Sequence, residues 1–276
     1  MSALLTITGF ADEISPDLEE QMDVMEAEGI SHIEFRGVDG KNVLKLSDTE
    51  LSEVKERLNA RGFKISSIGS PVGKYGIRDD FSVELASIRR ACEIANYLEA
   101  PYIRIFSYFI PEGEEPSSFK EEVISRMKQL IEVAAQSKVT LLLENESHVY
   151  GDIDERCLDL LDACGSPRLR MAFDPGNFVM NGVKPVSEAW PKLQSYLEYV
   201  HIKDAMAEKR IFVPAGEGDG EFIAFIRNLK ETGFSGFLSI EPHLHKYLPE
   251  QDGPGRFVHA VKALKKLLEA ESMAWN

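Results

Sequence analysis

Residues 140–146 read TLLLENE, an apolar run that stops abruptly at Glu144, Asn145 and Glu146. Seven comparable runs of apolar and β-branched residues occur along the chain: LLTITGF (4–10), SHIEFRG (31–37), KISSIGS (64–70), YIRIFSY (102–108), LRMAFDP (169–175), YVHIKDA (199–205) and GFLSIEP (236–242). Continuous apolar runs of this length are typical of strands that are buried on both faces. The pattern therefore predicts eight strands, centred on Ile7, Ile33, Ile65, Ile103, Leu142, Ala172, Val200 and Leu238.

The spacing of these strands predicts that they are parallel. Successive centres are 26 to 39 residues apart, which leaves room for one helix and two loops and excludes a direct hairpin. Ser15 before Pro16 predicts one helix start, and a Ser47/Glu50 capping box predicts another. Three helices are predicted to end at a left-handed glycine: Gly29, Gly62 and Gly233.

Eight strand–helix units with parallel strands predict an α/β fold, a single (β/α)8 TIM barrel in which residues 1–276 form one domain. The alternative is an open doubly wound sheet. The first strand-to-helix turn, GFADEISPD (9–17), lacks the glycine-rich dinucleotide fingerprint, and no Pro-, Gly- or Ser-rich linker divides the chain. Both observations favour the barrel.

Composition excludes several classes of function. The 46 acidic and 31 basic residues give a net charge of −15, so the phosphates of a nucleic acid would be repelled. The N-terminus has no basic segment and no long uncharged apolar run follows, so we expect no membrane segment and a cytoplasmic protein. The cysteines lack the short spacing of zinc or redox motifs and are expected to be buried, reduced thiols: Cys92, Cys157 and Cys164.

Strands five to eight carry metal-binding residue types at their carboxyl ends: Glu144, Asp174, His201 and Glu241. In such a barrel the active site lies at this end, where one inward side chain from each strand can converge. Three converging carboxylates would repel one another unless protons or a cation neutralise them. Oxygen-rich ligands with one imidazole suit Mn²⁺, Co²⁺ or Mg²⁺, so we predict one divalent ion here.

Each of the four residues also has a simpler interpretation. Asp174 precedes Pro175 and Gly176 and is a candidate turn residue, and a single buried histidine such as His201 is usually a core residue. Glu144 is a candidate ion-pair partner of Lys203 or Arg104, and Glu241 a carboxylate facing water. The coincidence of four suitable residues in four successive units favours the metal site.

The segments LLLENE, MAFDPGNF, YVHIKDA, PAGEGDGEF and FLSIEPH together resemble the xylose-isomerase-like TIM barrels, which include ketose 3-epimerases and inosose isomerases. The resemblance covers essentially the whole chain. It implies that Glu144, Asp174, His201 and Glu241 hold one divalent metal. From the ligand chemistry we expect Mn²⁺, with Co²⁺, Mg²⁺ or Zn²⁺ as alternatives. The resemblance also implies that Glu144 and Glu241 act as acid and base, and that the protein is a homo-oligomer. Endonuclease IV shares this fold, but its three-zinc cluster needs extra histidines from strands three and four. The corresponding segments here, KISSIGS (64–70) and YIRIFSY (102–108), contain no histidine.

Two positions depart from the epimerase pattern. Asn177 stands where the epimerases usually have a histidine, and Ala207 where they usually have an arginine, with Arg210 the nearest guanidinium. Other candidate substrate contacts lie near predicted strand ends or in loops: Glu34, Lys74, His148, Asn177, Arg210 and Glu217. Glu34 is interpreted either as a residue of the mouth or as the ion-pair partner of Arg36.

The resulting prediction is an enzyme that moves a proton next to the carbonyl of a ketose, sugar phosphate or inosose, through an enediolate. Its partner is a small sugar or polyol. The first alternative is a metal-dependent lyase or dehydratase of keto-sugars or keto-glycosides, because the usual epimerase contacts at 177 and 207 are absent. The second is a non-catalytic sugar-binding barrel.

Overall fold

The computed structural model describes residues 5–276 and has eight parallel strands at its centre. They are β1 (Thr6–Gly9), β2 (His32–Phe35), β3 (Lys64–Gly69), β4 (Tyr102–Ile105), β5 (Thr140–Glu144), β6 (Leu169–Phe173), β7 (Leu197–Ile202) and β8 (Phe237–Ile240). Their hydrogen-bonded order is β1-β8-β7-β6-β5-β4-β3-β2, and β1 contacts β2. The sheet is therefore a near-closed barrel. The predicted fold is confirmed, and each predicted centre lies in a strand.

Helices follow the strands and bury their apolar faces. They are α1 (Leu18–Ala27), α2 (Asp48–Ala60), α3 (Phe81–Leu98), α4 (Lys120–Ser137), α5 (Asp154–Cys164), α6 (Pro175–Met180), α7 (Trp190–Leu193), α8 (Phe222–Thr232) and α9 (Gly253–Ala270). Cys92 and Cys157 are buried in α3 and α5, whereas Cys164 at the end of α5 is half-buried. No helix within residues 5–276 is long and apolar enough to cross a membrane.

The helix ends test the local predictions. The capping box that starts α2 is confirmed, with Glu50 N donating to Ser47 Oγ at 3.3 Å and Ser47 N to Glu50 Oε2 at 2.8 Å. The predicted glycines have positive φ angles of 70°, 73° and 67° at Gly29, Gly62 and Gly233. The predicted start at Ser15–Pro16 is wrong. α1 begins at Leu18, because the charged carboxylate of Asp17 caps it by accepting from Glu20 N at 3.0 Å.

Two short antiparallel hairpins follow barrel strands at their carboxyl ends. Gly37–Val38 pairs with Lys41–Asn42 after β2, and Asp204–Met206 pairs with Ile211–Val213 after β7. A (β/α)8 barrel binds its ligands at this end. The hairpins therefore lie on the side of the barrel where the candidate site residues are expected.

Candidate metal centre

Four side chains from four consecutive strand ends converge within the barrel. Glu144 ends β5, Asp174 follows β6, His201 lies in β7 and Glu241 follows β8. One ligand atom from each lies within 4.8 Å of the others, and all four residues are 0 to 3% exposed. The parallel register produces this convergence, since it sets the four strand ends side by side at one end of the barrel.

The four facing atoms are three carboxylate oxygens and one imidazole nitrogen. Glu144 Oε1, Asp174 Oδ2 and Glu241 Oε2 lie 3.2, 3.8 and 3.8 Å from His201 Nδ1. We call these three the inner oxygens. Neither ring nitrogen of His201 makes a hydrogen bond of good geometry to residues 5–276, although both are buried. Three oxygens and one nitrogen around a common point are a donor set that fits a divalent cation.

Each carboxylate also has an outer oxygen that faces a fixed donor. The pairs are Glu144 Oε2 with Arg104 Nη1 at 2.9 Å, Asp174 Oδ1 with Asn177 N at 2.8 Å, and Glu241 Oε1 with Arg36 Nη1 at 3.4 Å. The donors leave the inner oxygens facing one another. Such outer contacts orient ligand side chains before an ion arrives. Arg104 is thus the cation that pairs with Glu144, as one of the simpler interpretations expected.

Glu34 lies beneath His201 rather than at the mouth. Its Oε2 is 3.2 Å from His201 Nε2 and accepts a hydrogen bond from Ser239 Oγ at 2.6 Å, and the residue is fully buried. A carboxylate at this place orients the imidazole so that Nδ1 faces the other ligands. Arg36, two residues further along the chain, instead pairs with Asp12 Oδ2 at 2.7 Å.

Lys203 is buried against the same cluster. Its Nζ lies 2.6 Å from Glu241 Oε2 and 2.8 Å from Asp174 Oδ2, and the residue is 2% exposed. From the sequence, Lys203 is expected only as a partner of Glu144. Strand alternation could have predicted this position, because Lys203 is two residues after His201 and therefore points to the same inward side.

Burial and neighbouring charges shift the pKa values of the cluster in opposite directions. Burial favours protonation of Glu144, but the charges of His201 and Arg104 outweigh it and lower its pKa to about 2. Burial, helped by the charges of Glu144 and Glu241, raises the pKa of Asp174 to about 7 despite Lys203. Burial would make His201 neutral, yet Glu144 and Glu34 hold its pKa well above the ordinary value. Without an ion, protons therefore neutralise part of the cluster.

Local structure fixes the residues around Asp174. Asn145 accepts from Asp174 N and donates to Asp174 O, both at 2.9 Å, so the ends of β5 and β6 are tied together. Asp174 also caps α6, which makes it both a turn residue and a member of the cluster. Gly176 allows close packing, because a Cβ there would lie 2.7 Å from the carbonyl oxygen of Lys203. Asn177 Nδ2 lies 3.3 Å from Glu144 Oε1 and contacts the cluster directly.

The remaining candidate substrate contacts lie on loops. Lys74 pairs with Glu146 Oε2 at 2.8 Å and covers the ring of Phe106 at 4.2 Å. The other three lie beside residues outside the cluster. His148 lines a cavity of about 510 Å³ together with Pro111 and Asp152. Arg210 donates a hydrogen bond to the carbonyl oxygen of Met180, and Glu217 accepts one from the hydroxyl group of Tyr247. The structure thus brings Asn177 and Glu34 to the four candidate ligands, but not His148, Arg210 or Glu217.

A second layer of charge surrounds Glu241. His243 Nε2 lies 3.0 Å from Glu13 Oε1 and 3.5 Å from Glu241 Oε1. Arg36 contacts Glu13 at 3.3 Å and covers the ring of Phe10 at 4.5 Å. The sequence gives little indication that these residues belong to the site, since they lie in loops after β1, β2 and β8 that contain no recognisable motif.

Comparison with known proteins assigns the fold to a family. A sequence model described as xylose isomerase-like TIM barrel matches residues 22–267, most of the chain. The chain belongs to the xylose isomerase-like TIM-barrel family. The resemblance seen in the sequence is therefore confirmed.

Two curated proteins that are similar to the chain have different activities. A probable L-ribulose-5-phosphate 3-epimerase of Mycoplasma pneumoniae is 22% identical over 238 residues, 84% of this chain and 76% of the relative. A 3-dehydroshikimate dehydratase of Bacillus anthracis is 23% identical over 233 residues, 77% of this chain and 81% of the relative. The chain is therefore similar both to a probable epimerase and to a dehydratase.

A solved structure has the same barrel. The crystal structure of the IolI protein with a bound zinc atom superposes with a TM-score of 0.77 at 17% identity, covering 98% of this chain and 99% of that one. At 17% sequence identity, this superposition shows that the two chains share a fold.

Proposed function

We propose that the protein is a divalent-metal-dependent isomerase or epimerase of small carbohydrates. The observation that carries the proposal is the convergence of Glu144 Oε1, Asp174 Oδ2, His201 Nδ1 and Glu241 Oε2 in a buried site. A ketose, sugar phosphate or inosose is the proposed substrate class, supported by the relationship to a probable L-ribulose-5-phosphate 3-epimerase.

The proposed cofactor is one divalent ion per chain, with Mn²⁺ favoured. Three carboxylate oxygens and one imidazole suit Mn²⁺, Co²⁺ or Mg²⁺, and the IolI protein, which has the same fold, has a structure with a bound zinc atom. When bound, the ion would polarise the substrate carbonyl and so lower the energy of charge that develops on its oxygen.

Glu144 and Glu241 are the proposed proton-transfer residues. Both are ionised at neutral pH: burial opposes their charges, but His201 and Arg104 lower the pKa of Glu144, and Lys203 lowers that of Glu241. They lie on β5 and β8 with β6 and β7 between them, so they reach a bound substrate from different directions. One carboxylate would remove the proton next to the carbonyl. Return to the opposite face of the same carbon gives an epimer, and return to the next carbon gives an isomer.

Side chains around the ligands have supporting roles in this proposal. Asn177 and Glu34 would position Glu144 and His201, because they contact these two residues directly. Lys74 remains a proposed contact for substrate hydroxyl or phosphate oxygens, since its loop follows β3 at the ligand-binding end of the barrel.

Deuterium exchange tests the proposed reaction. Mn²⁺-loaded protein incubated with a panel of ketoses, their phosphates and inososes in D₂O should place deuterium on carbon, detected by NMR. Glu144→Gln and Glu241→Gln should each lose the exchange. Glu198→Gln is the matched control, because Glu198 lies in β7 but pairs with Tyr102 outside the cluster. Absence of exchange across the panel with metal bound would reject isomerase and epimerase activity.

Dehydration is the second candidate, and a specific observation favours it. Asn177 and Ala207 replace the histidine and arginine usual in the epimerases, and the chain is related to a 3-dehydroshikimate dehydratase. Here the same proton removal would be followed by loss of a β-hydroxyl group. Mass spectrometry separates the two, because elimination lowers the mass of the product by one water and epimerisation leaves it unchanged.

A further inference from the structure

We propose that Lys203 is an internal counter-cation of the metal site, and that a divalent ion binds by displacing its ammonium group from Asp174 and Glu241. This inference rests on the proposed metal site. It adds a competition between a residue of the chain and the ion, which sets how tightly the ion is held.

The ammonium group and the ion would share two oxygens. Lys203 Nζ lies 2.6 Å from Glu241 Oε2 and 2.8 Å from Asp174 Oδ2. The same two oxygens face His201 Nδ1 at 3.8 Å and belong to the four facing atoms. A divalent ion would need these oxygens at about 2.0 to 2.6 Å. A second positive charge on the same two oxygens would then repel it.

The other cations of the site have different partners. Arg104 Nη1 contacts the outer oxygen of Glu144 at 2.9 Å, and Arg36 Nη1 contacts the outer oxygen of Glu241 at 3.4 Å. Both can keep these contacts while the inner oxygens hold an ion. Lys203 cannot, because both of its ion pairs within the described residues are to inner oxygens of the two carboxylates.

The structure also gives the displaced ammonium group another partner. The ring of Phe212, in the hairpin after β7, has its centre 5.2 Å from Lys203 Nζ. A buried cation that loses its carboxylates is costly unless another group receives it, and an aromatic face can do so. Lys203 follows the last residue of β7, and its flexible four-carbon stem can turn without moving the strand.

Mn²⁺ titration of Lys203→Met tests the competition. The variant removes the competing charge and makes the site more negative, so we expect Mn²⁺ to bind at least tenfold tighter than in the wild type by calorimetry. Without metal, the uncompensated carboxylates should lower Tm, and saturating Mn²⁺ should raise Tm more than it does in the wild type. Lys192→Met is the matched control, because Lys192 also pairs with two carboxylates, those of Asp154 and Glu155, outside the site. Its Mn²⁺ affinity should equal that of the wild type.

Lys203→Gln provides a second neutral variant if Lys203→Met folds only with metal. Affinity is then measured from the Mn²⁺-loaded state by competition with a chelator. Equal or weaker binding by both neutral variants, with the wild type binding Mn²⁺, would overturn the lysine competition and leave the metal site standing. Absence of Mn²⁺ binding in the wild type and in both variants would overturn the competition and the proposed function together.

Discussion

Metal uptake by this protein should release protons, because two of the four ligands hold them when no ion is bound. Glu144 and Glu34 keep His201 protonated despite its burial, and burial raises the pKa of Asp174 to about 7. A metal ligand must be a neutral imidazole or an ionised carboxylate. The ion therefore competes with protons at His201 and Asp174, and its affinity should fall as the pH falls.

The size of the effect follows from these two groups. Asp174, with a pKa of about 7, holds about 0.9, 0.5 and 0.1 protons at pH 6, 7 and 8, and His201, whose pKa is raised well above its ordinary value by Glu144 and Glu34, adds to the release. Uptake should thus release about 0.9, 0.5 and 0.1 protons from Asp174 at these three pH values, and the protons released from His201 add to each. Integrated over pH, the ionisation of Asp174 alone should raise the affinity for Mn²⁺ about fivefold from pH 6 to 7 and about twofold from pH 7 to 8, and the loss of the His201 proton should add to both increases.

Calorimetry in buffers of different ionisation enthalpy measures the proton count directly. His32→Asn is the control, since His32 lies at the amino end of β2, away from the cluster, and burial lowers its pKa. Its proton release should match that of the wild type. A release below about half a proton at pH 7, or an affinity that does not change between pH 6 and 7, would refute the assigned protonation of His201 and Asp174.

Three substitutions test other parts of the structure. Glu34→Gln removes the charge beside His201 Nε2 and should weaken Mn²⁺ binding about 10- to 100-fold in calorimetric titrations. Asp204→Asn should lower the free energy of unfolding in urea by about 2–3 kcal/mol, because the carboxylate accepts from the backbone N–H groups of Ala205, Gly216, Gly218 and Gly220. Glu84→Gln should stabilise the protein by about 1–3 kcal/mol at pH 8 and by about 1 kcal/mol or less at pH 5. Burial raises the pKa of Glu84 to about 7, so the wild type loses stability as pH rises from 4.5 to 7.

Specific outcomes would contradict these three expectations. Unchanged Mn²⁺ affinity in Glu34→Gln would mean that this carboxylate does not orient His201. Wild-type stability of Asp204→Asn would show that the Gly216–Gly220 loop is held by other contacts. If Glu84→Gln raised the free energy of unfolding equally at pH 5 and pH 8, the gain would come from packing and not from the ionisation of Glu84.

Glu34 shows why local patterns were insufficient around the site. Strand alternation placed Glu34 and Arg36 on one side of β2, but two residues differ in height by about 6.6 Å along a strand. Arg36 reaches Glu241 at the mouth, whereas Glu34 lies at the level of Ser239, which is in register with His201. A register shift between Ile33 and Glu34 also interrupts the pairing of β2 with β3. Height and register depend on how all the strands close, which no single segment encodes.

The sequence alone determined the eight strands, their parallel direction, the α2 capping box and the four residue types at strand ends five to eight. These features follow from hydrophobic periodicity, chain length between strands and hydrogen bonds within a few residues. Only the tertiary structure decided that Lys203 lies between Asp174 and Glu241 and that Arg104 forms an ion pair with Glu144. Those pairings join the ends of consecutive strands, between residues that are 29 to 40 positions apart in the sequence. They are set by barrel closure and by the need of each buried charge to find an opposite charge in the shared interior.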